Sequence, residues 1–227
     1  MKFEKMRAYN FAGAIRGMRN PLESWDKSDS AARYKADSGE LWQMFEYDEP
    51  KMIYDIGPRD MGLAQRLIKG GSEHRKFLRQ ILVSLDITAP LYWWKEMDTY
   101  TTGIVKNSTS TMHKIMARPF TLDLFEMDDF DQCETEGFLV VLDTLNKRRG
   151  LYLLAKNVGD DKAAKVHWKA IIRLLPESWL QKRTVTLNYE NIRNIVHQRK
   201  GHKLTEWAAF IDAMRVLPYA EELIFFD

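Results

Sequence analysis

One face of a predicted helix ends in two polar side chains that could hold an anionic ligand. Four residues follow one another in steps of four, three and four, the spacing of one helix face: Asn188, Ile192, Ile195 and Arg199. An arginine in line with isoleucines must extend its guanidinium to solvent or meet an anion, because an unpaired buried charge is very unfavourable. Arg199 is therefore either a ligand-binding residue or an arginine that the helix dipole favours at a C-terminus.

A second polar cluster, residues 107–114, combines hydroxyl, amide, imidazole and ammonium groups in the order NSTSTMHK. Such groups can hold a phosphate through hydroxyl and backbone donors. Serine and threonine are also common turn formers, so the same segment can be an ordinary polar loop. The residue types alone leave both interpretations open.

The elements that position these clusters are predicted from hydrophobic spacing. Between residues 80 and 87 apolar and polar side chains alternate, which predicts a half-buried strand with four apolar residues on one face: Ile81, Val83, Leu85 and Ile87. Ala89-Pro90 ends this strand, and a helix is predicted over residues 91–100. A β-prone run over residues 183–187 precedes the helix predicted over residues 188–198.

Further helices are predicted from apolar spacing and from glycine and proline positions. They cover residues 12–19, 39–47, 59–69, 138–149, 150–156, 161–175 and 204–216. The last carries Trp207, Phe210, Ile211 and Met214 on one face. A polar loop is expected to begin at residue 24 and to lead into the helix over residues 39–47. The composition shows no linker, so a single domain over residues 1–227 is predicted.

Composition restricts the class of protein. A chain of 227 residues with 45% hydrophobic residues is that of a globular protein, and a net charge of +2 does not favour a nucleic-acid partner. One cysteine, Cys133, excludes a disulfide framework and a cysteine-based metal cluster. The spaced acids of residues 123–134 lack the order of a calcium loop, so we predict a solvated surface and no metal site. Without an apolar run of membrane-spanning length or a signal-peptide core, we expect a cytoplasmic protein with no membrane partner.

The C-terminal cluster resembles the signature of the flavin-dependent thymidylate synthases. In that family a Leu-Pro precedes a strand that ends in Thr-Val-Asn. An Asn and an Arg follow six and eleven residues after that Asn, and then a His and a Glu. The corresponding residues here are Leu175-Pro176, Thr186-Leu187-Asn188, Asn194, Arg199, His202 and Glu206, with one residue fewer between Arg and His than expected.

The other family motif is altered in this chain. It reads Arg-His-Arg, then a serine, then Asn-x-x-Ser-x-Arg, and it follows the central strand and its Ala-Pro. Residues 98–102, Asp-Thr-Tyr-Thr-Thr, stand in place of Arg-His-Arg. Asn107 and Ser110 keep Asn-x-x-Ser, whereas Met112 replaces the final arginine. Glu190 stands where the family tends to have an arginine, and an acid there would repel a phosphate.

The resemblance implies an α+β fold, with an antiparallel sheet flanked by helices and a first strand over residues 2–10. It further implies a homotetramer that binds FAD and deoxyuridine monophosphate (dUMP) between subunits. The family methylates dUMP to dTMP, taking the carbon from methylenetetrahydrofolate and reducing the flavin with NADPH. No cysteine nucleophile is required, because the reactive electron pair comes from the cofactor.

The resemblance also assigns roles to individual residues. Arg199 and Ser110 are the expected catalytic residues. The expected substrate-binding residues are Ser108, Ser110, Arg173 and Arg199, where Arg173 lies one position after the family's arginine, at Ile172 here. The expected cofactor-binding residues are His74, Asn107, Asn188 and Asn194. The end of the first helix is also expected near the flavin, through Arg16, Arg19 or Asn20.

Two alternatives remain open at the level of sequence. The chain could be a nucleotide-binding homologue of the same fold whose flavin chemistry is altered or lost. It could also be an unrelated α+β interaction protein with fortuitous spacing. Flavin binding and nucleotide binding by the purified protein distinguish these alternatives from an active synthase.

Overall fold

The computed structural model describes residues 1–34 and 52–227, and the predicted helix over residues 39–47 lies outside them. The strands are β1 (Lys2–Tyr9), β2 (Ala31–Tyr34), β3 (Met52–Asp55), β4 (Leu82–Pro90), β5 (Val105–Ser108) and β6 (Leu180–Asn188). The helices are α1 (Phe11–Arg19), α2 (Pro58–Lys69), α3 (Leu91–Met97), α4 (Thr111–Lys114), α5 (Gln132–Asn157), α6 (Asp161–Leu174), α7 (Tyr189–Arg199), α8 (Thr205–Met214) and α9 (Ala220–Leu223). Short 3-10 helices lie at Asn20–Leu22, Trp25–Lys27, Arg75–Gln80 and Leu122–Leu124.

Four of the strands form one antiparallel sheet in the spatial order β1-β4-β6-β5. The remaining two, β2 and β3, form a separate antiparallel pair in which Ala31 lies opposite Asp55. The predicted α+β fold, an antiparallel sheet flanked by helices, is therefore confirmed. The predicted first strand is also confirmed, by β1.

The chain forms two compact units. Unit 1 comprises Met1–Lys2, Thr88–Tyr100 and Asn107–Arg183, and unit 2 comprises Phe3–Ile87, Thr101–Lys106 and Thr184–Asp227. The prediction of a single domain over residues 1–227 stays a prediction. The candidate site residues divide equally, with Asn107, Ser108, Ser110 and Arg173 in unit 1 and His74, Asn188, Asn194 and Arg199 in unit 2.

The core of unit 2 fixes the direction in which α7 presents its polar residues. The predicted alternation is confirmed, since the four apolar side chains of that face are each at most 1% exposed: Ile81, just before β4, and Val83, Leu85 and Ile87 within it. Ile192 and Ile195 of α7 are fully buried, and α8 packs against α7 and buries Trp207, Phe210 and Met214. Burial of apolar surface stabilises by about 25 cal/mol per Å², so this packing sets the rotation of both helices.

The core of unit 1 lies where α5 and α6 pack against the segment before α5. Eight buried apolar residues form it: Ile115, Met116, Phe120, Leu124, Phe125, Leu142, Leu145 and Ile171. The prediction of two helices over residues 138–149 and 150–156 is wrong, because α5 continues through Gly150 as one helix. A glycine costs a helix only about 1 kcal/mol relative to alanine, and the burial of Leu142 and Leu145 in this core outweighs that cost. Asp131 and Glu134 form a capping box at the start of α5, which gives two of the acids of residues 123–134 a structural role.

A buried ion pair in unit 2 joins α1 to α2. The Arg19 Nε donates to Asp60 at 2.5 Å, and the two side chains are 5% and 0% exposed. The other Arg19 nitrogens donate to the carbonyl oxygens of Ser24 and Lys27 at 3.1 Å. Arg19 therefore holds the loop after α1. The expectation that the end of the first helix lies near the flavin, through Arg16, Arg19 or Asn20, stays a prediction.

Candidate functional site

Asn188 caps α7, and this role determines where its side chain lies. Its Oδ1 accepts a hydrogen bond from the Asn191 backbone N–H at 2.9 Å, and the Asn191 Oδ1 accepts one from the Asn188 N–H at 3.2 Å. The helix begins at Tyr189, so the prediction that Asn188 lies on the helix face is wrong by one residue. An N-cap residue keeps an extended backbone, and its side chain satisfies an otherwise unpaired N–H of the first turn.

Thr102, the last of the residues that stand in place of Arg-His-Arg, and Gly103 after it lie against this cap within unit 2. The Asn191 Nδ2 donates to the Thr102 carbonyl at 2.9 Å. Gly103 has a φ of +72°, and a Cβ built on it would lie 3.3 Å from the Asn188 Nδ2. A left-handed backbone this close to an amide favours glycine, so the sequence Thr102-Gly103 positions the two asparagine amides.

Arg199 lies half-buried at the end of α7, where an aromatic ring supports it. Its guanidinium carbon lies 4.5 Å from the centroid of the Trp207 ring, and Trp207 is fully buried. Its Nη1 lies 3.1 Å from the Nε2 of His202. A stacked guanidinium of this kind contributes about 0.5–1 kcal/mol and loses little freedom when it binds a ligand. The fold therefore presents Arg199 in a defined orientation rather than as a free surface arginine.

His74 and Asn194 lie on two elements that pack together, the 3-10 helix Arg75–Gln80 and α7. His74 is exposed just before that 3-10 helix, and the next residue, Arg75, reaches α7. The Arg75 Nε donates to both oxygens of Glu190 at 3.0 Å, and its Nη2 donates to the Asn194 Oδ1 at 3.4 Å. Glu190 is only 5% exposed, and this ion pair compensates its charge.

Arg75 is the residue of this group that sequence reasoning missed. The sequence indicates Arg75 only indirectly. Glu190 stands where the related family tends to have an arginine, and a glutamate that is buried there requires a cation nearby. The two residues are 115 positions apart in sequence, and nothing in the spacing of either residue indicates the other.

Replacing Glu190 with glutamine is expected to tighten anion binding about threefold. The substitution keeps the shape and an acceptor for Arg75 but removes a negative charge. Two unit charges about 6 Å apart in water interact by about 0.7 kcal/mol. Since about 1.4 kcal/mol corresponds to a tenfold change in affinity, this energy corresponds to about a threefold change. Calorimetric titration with inorganic phosphate measures the change.

The matched control is Glu73→Gln, which neutralises an exposed acid close to Arg75 in sequence that pairs with Lys76. We expect no measurable change in that variant. An unaltered phosphate affinity in a folded Glu190→Gln protein would contradict the expectation that the acid at Glu190 repels a bound phosphate.

Ser110 is the N-cap of α4 in unit 1. Its Oγ accepts from the His113 backbone N–H at 3.2 Å and lies 2.8 Å from the His113 Nδ1. The Ser110 hydroxyl donates to Nδ1 in one His113 tautomer and accepts from Nδ1–H in the other. Ser110 is thus a capping residue whose hydroxyl already has partners within its own helix turn, and a bound phosphate would have to compete with His113.

The remaining unit 1 candidates are exposed. Asn107 and Ser108 lie at the end of β5, and Arg173 lies on the last turn of α6. Ile172, at the family's arginine position, packs against the core of unit 1. One residue rotates a helical side chain by about 100°, so Arg173 points away from the direction of Ile172.

Within unit 1, a network of hydrogen bonds links Asp98, the first of the residues that stand in place of Arg-His-Arg, to the two neighbours of Ser110. The Arg183 Nη1 donates to both oxygens of Asp98 at 2.9 and 3.0 Å, and the guanidinium stacks on Trp94 at 4.3 Å. The Arg183 Nε donates to the Gln181 Oε1 at 2.9 Å. The Gln181 Nε2 in turn donates to the carbonyl of Thr109 at 3.0 Å and to the hydroxyl of Thr111 at 3.2 Å. Sequence reasoning missed this network, which holds both neighbours of Ser110.

Residues 1–34 and 52–227 contain neither a metal-binding cluster nor a membrane-spanning helix. In that part of the chain no group of three or more His, Cys, Asp or Glu side chains is arranged to hold a metal ion. The helices found there are too short or too polar to span a bilayer. Cys133 is an exposed free thiol at the start of α5.

Comparison with known proteins gives a relation at the level of structure. No protein-family model matches the chain, and no curated protein matches it in sequence. The structure of the flavin-dependent thymidylate synthase ThyX from Helicobacter pylori in complex with FAD and dUMP superposes with a TM-score of 0.64 at 17% identity. That match covers 99% of this chain and 98% of the synthase.

A second crystal structure of the Helicobacter pylori enzyme with FAD and dUMP, at 2.31 Å resolution, gives a TM-score of 0.65 at 15% identity. It covers 99% of this chain and 97% of the other. The resemblance that the two sequence motifs indicated is thus confirmed by structural similarity over 99% of this chain. This chain has the fold of the flavin-dependent thymidylate synthases.

Proposed function

We propose that this chain is a flavin-dependent thymidylate synthase-like enzyme. It would convert dUMP to dTMP with methylenetetrahydrofolate as the carbon donor, NADPH as the reductant and FAD as the cofactor. The observation that carries the proposal is the full-length likeness to a synthase crystallised with FAD and dUMP. The matching offsets of Asn188, Asn194 and Arg199 support it. Asn194 and Arg199 carry more of this support than Asn188, because Asn188 also caps α7.

Each candidate residue has a role that its chemistry allows. Arg199 binds and polarises an oxygen of dUMP as a charge-assisted donor. Ser108, Ser110 and Arg173 bind the nucleotide through hydroxyl and guanidinium groups. His74, Asn107, Asn188 and Asn194 bind the cofactor. A bound flavin supplies the hydride that completes the methyl group, so the protein contributes binding, orientation and electrostatics.

The donor set of unit 2 fits a flavin ring. A flavin ring presents alternating nitrogen and carbonyl acceptors and one imide donor, and asparagine amides can match both types. Asn188 and Asn194 lie six residues apart, about 9 Å along α7. Asn194 is held by Arg75 at 3.4 Å, which fixes its Oδ1 as an acceptor and its Nδ2 as the donor that faces elsewhere.

Residues 98–102 do not fit the diphosphate of FAD in the way that Arg-His-Arg would. Asp98 brings a negative charge, and its two oxygens are already bonded by Arg183. The Thr99 hydroxyl donates to the Glu96 carbonyl at 2.7 Å. This observation favours a second candidate function, a nucleotide-binding homologue of the same fold with altered or lost flavin chemistry.

Purified protein separates the two candidates. An absorption spectrum with a flavin band, together with calorimetric binding of dUMP, supports the synthase. Colourless protein that binds dUMP, and takes up no flavin when FAD is added, supports the second candidate. Protein that binds neither contradicts both. The expected homotetramer is checked on the same sample by light scattering.

A further inference from the structure

One side of α5 carries an exposed apolar row. The side that packs into unit 1 holds Leu142 and Leu145, which are at most 4% exposed. On the other side, residues follow one another in steps of four, three, four, three and four, which places them on one helix face. Four of these residues are apolar and between 44% and 72% exposed. The members of the row are Val140, Thr144, Lys147, Leu151, Leu154 and Val158, the last of which is the C-cap of α5.

The spacing of this row is suited to a helical partner. A single exposed apolar side chain is normal on a protein surface, whereas a contiguous exposed row marks an interaction surface. Within residues 1–34 and 52–227 no element covers these side chains. Steps that average 3.5 residues keep one seam of a helix against another helix over several turns. The row runs from Val140 to Val158, which is about 27 Å along the helix.

The charges of α5 select the partner and its direction. Residues 132–146 contain three acids and no base, and residues 147–157 contain four bases and no acid. The helix dipole acts only within the first and last turn, so it does not account for charges in the middle such as Asp143 and Lys147. An antiparallel second copy of α5 would bring each acidic half beside a basic half, whereas a parallel copy would bring like charges together.

The row is also symmetric about its own midpoint at residue 149. A two-fold interface requires a surface that is complementary to itself, because residue i of one copy meets residue j of the other and j meets i. Lys147 fits such a seam, since its Nζ pairs with Asp143 at 2.6 Å and leaves its aliphatic stem for packing. In an antiparallel pair the positions opposite each other are Val140 and Val158, Thr144 and Leu154, and Lys147 and Leu151.

We propose that α5 is a docking surface for a second copy of this chain, with the two helices antiparallel about a two-fold axis near residue 149. Gly150 lies beside this axis, and a Cβ built on it would meet nothing within 4 Å, so it leaves room for the second helix. The surface does not depend on the proposed reaction. It assigns one contact of the expected homotetramer to named residues.

A charged residue in the row is expected to separate the two copies. Light scattering should give the wild type a mass of two or four subunits and Leu154→Glu about half of that mass. The matched control is Val216→Glu, because Val216 is 45% exposed and lies in unit 2, outside the row. We expect that variant to keep the mass of the wild type, and circular dichroism checks that each variant is folded.

The double variant Thr144→Lys/Leu154→Glu tests the register. In the antiparallel pair the new lysine lies opposite the new glutamate of the partner subunit, so association should recover. In a parallel pair each new charge would meet its own kind and association would stay lost.

Cys133 reports the direction independently. It lies seven residues before Val140 and therefore continues the row by two turns. Parallel helices would bring the two Cys133 thiols together, whereas the antiparallel pair holds them about 48 Å apart. We expect no disulfide-linked dimer when the wild type is oxidised. Oxidation of Val140→Cys/Val158→Cys, with Cys133→Ser, should give one.

The outcomes separate this surface from the proposed function. A monomeric wild type, an unchanged mass in Leu154→Glu or a dimer linked through Cys133 overturns the proposal. Each of these results leaves the reaction in place if the same sample binds FAD and dUMP. A halved mass in Leu154→Glu that Thr144→Lys restores supports the surface, even in a protein that binds neither FAD nor dUMP.

Discussion

Replacing Arg199 with glutamine is expected to weaken the binding of dUMP about tenfold or more. A hydrogen bond from a charged donor contributes about 1.5–3 kcal/mol, and each 1.4 kcal/mol is a factor of ten in affinity. Glutamine keeps a polar side chain but loses the charge, the fork of donors and the stacking on Trp207. Calorimetric titration of the two proteins with dUMP measures the difference.

A matched control for this substitution exists in the same unit. Arg215 also stacks on an aromatic ring, with its guanidinium carbon 4.1 Å from the centroid of Phe225, and it pairs with Glu221. Arg215→Gln removes the same type of contact from a residue to which we assign no ligand, so we expect unchanged dUMP affinity. Equal affinities in the wild type and in Arg199→Gln would remove Arg199 from the site.

Replacing Asp60 with asparagine is expected to lower the free energy of unfolding by about 3–5 kcal/mol. The substitution leaves the buried guanidinium of Arg19 without its counter-charge. It also places an amide, which carries donors, against groups that donate to Asp60, including the hydroxyls of Ser28 and Ser30 at 2.6 Å. Urea unfolding followed by circular dichroism gives the change in free energy.

The exposed pair of Arg33 and Asp55 provides the comparison. Arg33→Gln removes one partner of an ion pair whose side chains are 58% and 44% exposed, and exposed pairs contribute little. We expect no measurable change in its unfolding curve. In the double variant Arg19→Gln/Asp60→Asn no charge is left buried, and the amide oxygen at residue 60 can still accept from the hydroxyls of Ser28 and Ser30, so stability should recover relative to Asp60→Asn. A double variant less stable than Asp60→Asn would contradict this explanation.

The same pair predicts how stability depends on pH. Burial raises the pKa of Asp60, but hydrogen bonds from Ser28, Ser30 and Arg19 outweigh it and hold the pKa below its usual value. A carboxyl with a lowered folded pKa stabilises fully above its unfolded pKa, about 4, and this contribution is lost as the pH falls through the folded pKa. Wild-type stability should therefore fall more steeply below about pH 4 than that of Asp60→Asn.

The strands and helices with periodic apolar residues were predictable, because the spacing of these residues shows which side chains face the core. The alternation around Val83 and Leu85 gave the central strand, and the spacing of Trp207 and Phe210 gave α8. The same reasoning placed Arg199 in line with two buried isoleucines. It failed at Asn188, because a capping residue lies outside the helical repeat and takes its side-chain direction from the cap.

The polar partners could not be read from the sequence for a physical reason. Arg75 pairs with Glu190 at a sequence separation of 115 residues, and Arg183 pairs with Asp98 at a separation of 85. The chain has 34 basic and 32 acidic residues, so each charged residue has many possible partners. Which cation pairs with which acid is decided by packing of the elements that carry them. The role of Arg19 was missed likewise, because its acceptors come from a loop and a helix whose approach to α1 no local pattern encodes.

The most direct measurement is growth without thymidine of a cell that lacks its own thymidylate synthase and expresses this chain. We expect the wild-type chain to restore growth, Arg199→Gln to restore it poorly or not at all, and Arg215→Gln to behave as the wild type. No growth with an expressed and folded wild-type chain would contradict thymidylate synthesis by this protein.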